Sequence, residues 1–152
     1  MKECIDYFNQ IILGKLPVKA AVAGGALREF FIEHTINPKT DIDLYVDSSN
    51  KIDTLTTFFN RNARLQYETD YASRYIFDSL KVDLVHNIIY DNLEDLISSF
   101  DFTVCCCAVD NTRVMHHPSY FEHLKDKMIV LNDNEKALES MKDNVSILSR
   151  LQ

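Results

Sequence analysis

Apolar residues recur at helical spacing at Ile5, Phe8 and Ile12, which predicts a first helix that Gly14 and Pro17 bring to an end. KAAVAG then reads as a buried strand, and Leu27, Phe30, Phe31 and His34 form one face of a second helix that starts just after Gly24 and Gly25 and closes at Asn37 and Pro38. DIDLYV is the next strand. Ile52, Leu55, Phe58 and Phe59 mark a third helix, after which ARLQYE, SRYIFD and KVDLVHNI, rich in Tyr, Val and Ile, read as strands that extend the same sheet. Leu93, Leu96, Ile97 and Phe100 make a short fourth helix. FTVCCCAVD and TRVMHHP are predicted to form a hairpin turning near Asn111. A helix around Phe121 and Leu124 follows. The last periodic segment, Leu138, Met141, Val145 and Leu148, is an apolar stripe on a helix over 134–151 that Asn134 caps.

A chain of 152 residues without repeats, low-complexity stretches or Gly/Ser linkers is expected to be one domain spanning 1–152, too small for a catalytic head plus a separate body for substrate recognition. The opening residues lack the apolar centre and cleavage site of a signal peptide, and no run approaches the roughly 18 apolar residues of a membrane span. The expected location is therefore the cytoplasm, away from any membrane. A formal charge of −7 argues against tight unaided binding to a long nucleic acid, because that affinity rests on Lys and Arg neutralising phosphates. Cys4 and the run Cys105, Cys106 and Cys107 have neither the spacing of zinc and redox motifs nor the spread of a disulfide framework. They read as buried reduced thiols, with zinc held alongside His116 or His117 as the alternative.

Chemistry enters at two places. On a strand, residues i and i+2 share a face, so Asp41 and Asp43 present two carboxylates side by side with Tyr45 following on that side. Two such anions repel unless a cation joins them, and Mg²⁺ suits them, since it takes one or two carboxylates and fills its other positions with water and substrate phosphates. Asp83, flanked by Val82 and Leu84 in an apolar strand, is a third carboxylate that is costly to bury unpaired, and three acids allow two ions. Gly24 and Gly25 end a strand and open a helix, where backbone N–H groups and the helix dipole receive phosphate and the missing Cβ permits close approach. Arg28, one turn on, adds a charge-assisted contact. Either feature alone has a plain structural explanation, a tight turn for the glycines and a solvated strand edge for the acids. Their order, with the acids beginning 16 residues after Gly25, favours phosphoryl or nucleotidyl transfer. Tyr45, Arg74, His86 and Asn87 lie nearby in sequence or strand position; such residues on a sheet are more often packed or hydrogen-bonded than catalytic.

The stretches GGALRE and DIDL, the VDL around Asp83, DFTVCCCAVD and HHPSYFEHLKDKMIVLN occur in the same order as the motifs of a known family. Over residues 18–132 the chain resembles nucleotidyltransferases of the polymerase-beta superfamily, nearest to the head domain of CCA-adding enzymes and bacterial poly(A) polymerases. The resemblance implies an α+β fold in which helices pack on a small mixed sheet, and an NTP, ATP foremost, lying over the glycine turn. It implies two Mg²⁺ ions held by Asp41, Asp43 and Asp83, nucleotide contacts from Gly24, Gly25, Arg28 and Asp101, and attack of an acceptor hydroxyl on the α-phosphate with release of pyrophosphate. Asp101 reads equally as the cap of the turn before it. Three residues depart from the family pattern: Glu29 stands for Asp, Phe100 for Arg and Cys105 for Asn. The chain also ends where those enzymes continue into the domains that select the base and hold tRNA, so CCA addition itself is not expected. The acceptor is left open among an RNA end, a protein and a small molecule. The terminal apolar stripe is to be covered by the head itself, by a second copy or by a partner protein. The alternative function is a nucleotide-binding or interaction subunit that keeps the fold without turnover.

Overall fold

In the computed structural model, which describes residues 1–132, the chain runs α1 (Lys2–Ile11), β1 (Ala21–Ala23), α2 (Gly25–Glu33), β2 (Asp41–Val46), α3 (Ser49–Asn62), β3 (Arg64–Glu68), β4 (Ala72–Phe77), β5 (Leu80–Ile89), α4 (Leu93–Ser98), β6 (Cys107–Val109), β7 (Val114–His116) and α5 (Tyr120–Lys125). The helix expected over 134–151 lies outside the described residues. The strands form one sheet in the order β3-β4-β5-β2-β1-β6-β7. β2 and β5 run parallel, while the other strand pairings among the described residues are antiparallel. The α+β class with a small mixed sheet is thus the fold the chain adopts.

Alternation along the strands divides the sheet into two unequal faces. One face sends Val22, Ile42, Leu44, Tyr75, Val82 and Leu84 into the main core, where Phe8 of α1, Leu27 and Phe30 of α2, and Leu55 and Phe59 of α3 meet them. Phe59 stacks on Tyr75 with ring centroids 5.0 Å apart, and both rings are fully buried, so this contact anchors α3 to β4. The opposite face carries a smaller cluster of Ala23, Tyr45, Val85 and Ala108 under Leu93 and Leu96 of α4. That helix has only six residues and cannot cover the whole face. The next positions along the same strands, Asp41, Asp43, Arg74 and Asp83, consequently stay partly open to solvent.

Two segments fold differently from the sequence expectation. The second helix stops at His34, which takes a left-handed φ of 63° while its N–H donates to the Phe30 carbonyl. The chain between it and β2 is instead a turn built by Asn37, whose side-chain oxygen accepts the Lys39 N–H at 2.8 Å, an arrangement Asn favours because it competes with helix. The stretch FTVCCCAVD is a strand only from Cys107 onward. Thr103–Cys105 form a 3-10 turn, because this backbone pairs with the returning chain: Thr103 N–H donates to the Val130 carbonyl, and Phe102 bridges Leu131. The β6–β7 hairpin forms as expected, but its turn is organised by buried Asp110, whose Oδ1 accepts the N–H groups of Thr112 and Arg113, both at 2.9 Å. Asn111 ties the hairpin to α1 by exchanging hydrogen bonds with Asn9. All four cysteines are free thiols; Cys4, Cys106 and Cys107 are buried and Cys105 is half-buried.

Candidate functional site

The three acids come together by register. Asp43 stands opposite Asp83 across the parallel β2–β5 pair, and Arg74 stands opposite Asp83 across the antiparallel β4–β5 pair. The Arg74 guanidinium donates from Nε to Asp83 Oδ1 at 2.6 Å and from Nη2 to Asp83 Oδ2 at 2.7 Å. Its Nη2 also lies 2.8 Å from Asp41 Oδ2. One cation therefore spans the acids of two strands, and its own pKa rises further above the ordinary arginine value, chiefly through the bond to Asp83. Asp43 responds in the opposite sense. Burial first, then the charges of Asp83 and Asp41, push its carboxyl up to about 7 against a partial offset from Arg74.

The glycine turn borders the same acids. Gly24 adopts φ 85° and ψ −137°, a region that only glycine enters freely. A Cβ placed there would lie 3.8 Å from Asp43 Oδ2, and one at Gly25 would lie 3.7 Å from Arg28 Nη2. Gly25, Arg28, Glu29, Thr40, Asp41 and Asp43 line an open cleft of about 500 Å³. Gly25, which lines it, opens α2, and the first N–H groups of a helix lack intrahelical acceptors and carry the positive end of the helix dipole. The cleft thus places the start of a helix beside the carboxylates of Asp41 and Asp43.

The three departures from the family pattern have structural counterparts. Glu29 reaches across to the turn before β2, accepting the Asn37 N–H at 2.7 Å and the Thr40 hydroxyl, so it fixes the segment that delivers Asp41. Phe100 packs edge-on against Tyr45 at 6.0 Å and belongs to the small cluster under α4. Cys105 receives Arg28 Nη1 at 3.9 Å. Burial raises its thiol pKa, and Arg28 pulls the other way.

Asp101 is buried, with its carbonyl accepting the Asn132 N–H at 2.7 Å, and it does not line the cleft. His86 and Asn87 sit further along β5, where their N–H groups donate to the Tyr71 carbonyl. Of the four neighbours singled out in the sequence, Arg74 alone enters the acid cluster, and Tyr45 is a buried packing residue. Glu29 had no signal beyond its departure from the family pattern.

Mg²⁺ fits part of this arrangement. Asp41 and Asp43 are hard oxygen donors at the cleft, and a cation between them would offset part of the repulsion that, after burial, raises the Asp43 pKa. Asp83 differs, since both of its oxygens already accept from Arg74. Among the described residues no three carboxylate, thiol or imidazole groups form a ready-made metal cage, and no helix is long and apolar enough to cross a membrane.

Comparison with known proteins bears on the family and on the fold. The model of a family described as "Gabija anti-defense 2 family protein" matches residues 1–127. "Gabija anti-defense 2" of Bacillus phage SPbetaL7 is 29% identical over 117 residues, which are 75% of this chain and 28% of the phage protein. Among solved structures, a tRNA-processing enzyme in an apo form superposes with a TM-score of 0.66 at 19% identity, over 97% of this chain and 40% of that one. The Bacillus stearothermophilus CCA-adding enzyme in complex with CTP gives 0.61 at 14% identity, over 96% of this chain and 36% of that one. The fold is therefore that of the nucleotidyltransferases. The chain spans well under half the length of each of these proteins.

Proposed function

Because the chain belongs to the Gabija anti-defense 2 family, we propose that it is a Mg²⁺-dependent nucleotidyltransferase that serves to counter such a defence by transferring NMP from an NTP, ATP foremost, to an acceptor hydroxyl. The observation that carries this reading is the meeting of Asp43 and Asp83 in register, with Asp41 two residues before Asp43 on the same strand, beside the Gly24–Gly25 turn and Arg28. The nucleotidyltransferase fold and the family's name support it from outside the site.

On this reading the triphosphate lies against the first turn of α2, held by its N–H groups and Arg28, while the glycines let the backbone approach. Asp41 and Asp43 hold Mg²⁺, which when bound neutralises charge on phosphate and carboxylates. The acceptor oxygen bonds to the α-phosphorus in line with the bridging oxygen; the bond to that oxygen breaks, pyrophosphate departs, and the hydroxyl proton passes to water. Glu29 keeps the β2 entry in place, so the carboxylates need not reorganise as charge develops. The acceptor, whether protein, RNA end or small molecule, falls to be found among the components of the opposed defence. A second reading, nucleotide binding without turnover, is favoured by the engagement of Asp83 with Arg74.

The test is to incubate the protein with Mg²⁺, an extract containing the opposed defence, and each NTP labelled at the α- or the γ-phosphate. α-Label should appear in one fraction of RNA, protein or metabolite, γ-label should leave as pyrophosphate, and Asp43→Asn should abolish the transfer. ATP binding with no α-label in any fraction would select the second reading.

A further inference from the structure

Both oxygens of Asp83 accept from the fork of Arg74, at 2.6 and 2.7 Å, and the same guanidinium reaches Asp41 at 2.8 Å. We propose that Arg74 is the resident second cation of this site: it holds Asp83 for itself, so the acid cluster takes one divalent ion, at Asp41 and Asp43, in place of two. The inference rests on the nucleotidyltransferase reading and specifies how its acids are shared.

Four features make Arg74 a fixed part of the site. Its position is set by the backbone, since β4 and β5 are joined by the two-residue turn Asp78–Ser79, both residues with positive φ, and the pairing Phe77–Leu80 carries through to Arg74–Asp83. Its side chain is only 14% exposed, unlike an arginine free to sweep through solvent. The guanidinium carbon lies 5.2 Å from the centre of the Tyr67 ring on β3, so an aromatic face backs the cation. Swinging it out would break a bidentate pair, the strongest class of side-chain hydrogen bond, together with the contact to Asp41.

Mg²⁺ needs near-octahedral coordination with carboxylate oxygens about 2.0–2.1 Å away. A guanidinium on both oxygens of Asp83 neutralises that carboxylate and sets its own positive charge against any ion that would use the remaining lone pairs. Arginine stays charged at every working pH and cannot serve as a base. The acid cluster therefore carries a positive charge that does not depend on the supply of metal.

The test counts ions. The full chain with saturating α,β-methylene-ATP is titrated with Mn²⁺, and bound Mn²⁺ is followed by electron paramagnetic resonance, with thermal melts confirming that each variant is folded. Wild type is expected to bind one Mn²⁺ per complex and Arg74→Ala two. Asp83→Asn is expected still to bind one, which keeps the proposal testable should Arg74→Ala not fold. Two ions in wild type, falling to one in Asp83→Asn, would overturn the proposal and leave the nucleotidyltransferase reading standing. A single ion in folded Arg74→Ala would overturn it as well. Nucleotide-dependent Mn²⁺ binding absent from wild type would overturn both.

Discussion

Asp43 faces Asp83 in register across the parallel β2–β5 pair, and the two carboxylates are close enough to raise the proton affinity of Asp43. In the unfolded chain Asp43 titrates near the ordinary aspartate value of about 3.9, whereas in the fold burial and its acidic neighbours push it up to about 7.

The linkage sign follows from those two values. Between roughly pH 4 and 7 Asp43 binds more proton in the folded protein than in the unfolded one, so its contribution to stability falls as pH rises through that window and is level on either side. In the presence of a chelator, Asp43→Asn should match wild type near pH 4 and be the more stable protein at pH 8. Denaturant titrations across that range check it, and a difference that does not change with pH would contradict the assignment. Adding Mg²⁺ at pH 8 should narrow the difference by stabilising wild type.

Gly24 and Gly25 make separate demands. With φ 85° and ψ −137°, Gly24 occupies a region that costs other residues about 1–3 kcal/mol, so Gly24→Ala should lower stability by that order and weaken ATP binding. At Gly25 an added Cβ meets Arg28 Nη2 at an ordinary 3.7 Å, and Gly25→Ala should fold as wild type. Gly25→Val places more bulk where the triphosphate approaches and should reduce ATP affinity in a folded protein. Calorimetry on both Gly25 variants checks this; unchanged affinity in the valine variant would make the turn structural only.

Glu29 acts through the turn it holds. Glu29→Ala removes the acceptor for Asn37 N–H and the Thr40 hydroxyl, bonds that are partly solvent-accessible and together stabilise by about 1 kcal/mol. The expected result is a modest loss of stability with a larger loss of nucleotide transfer, because Asp41 follows Thr40 directly. Glu29→Gln keeps an acceptor and should recover much of both. Equal activity in Glu29→Ala and wild type would reduce Glu29 to a surface contact.

The acids were legible in the sequence because period two is a strict rule: Asp41 and Asp43 had to share a face, and an acid inside VDL had to have a partner. That partner was legible as well. A two-residue hairpin at Asp78–Ser79 pairs residues whose numbers sum to a constant, so Phe77–Leu80 places Arg74 across from Asp83; DS is a weaker hairpin signal than NG or DG. The carboxylate of Glu29 was invisible because its partners, Asn37 and Thr40, belong to a turn that helical periodicity had assigned partly to the end of α2. Thr103–Cys105 misled for another reason. Their composition suits a strand, but Phe102 bridges Leu131 and Thr103 N–H donates to Val130, which takes this stretch out of the sheet.

Nucleic acid tests the last expectation. The sequence has 23 acidic residues against 16 Lys and Arg, and the cleft itself lies beside three carboxylates. Phosphate affinity in RNA binding scales with the number of cations that displace condensed counterions. Arg28 is the cation lining the cleft, and Arg74 is committed to Asp41 and Asp83. With so few charges available, this chain should bind long RNA no more tightly than non-specific proteins do, with a Kd of about 10⁻⁴ to 10⁻⁶ M at physiological salt. The logarithmic salt dependence should correspond to only one or two phosphates. Filter binding of tRNA between 50 and 200 mM salt measures both quantities. Nanomolar, salt-resistant binding would show that this chain holds RNA by contacts other than charge and would make a tRNA end the leading acceptor.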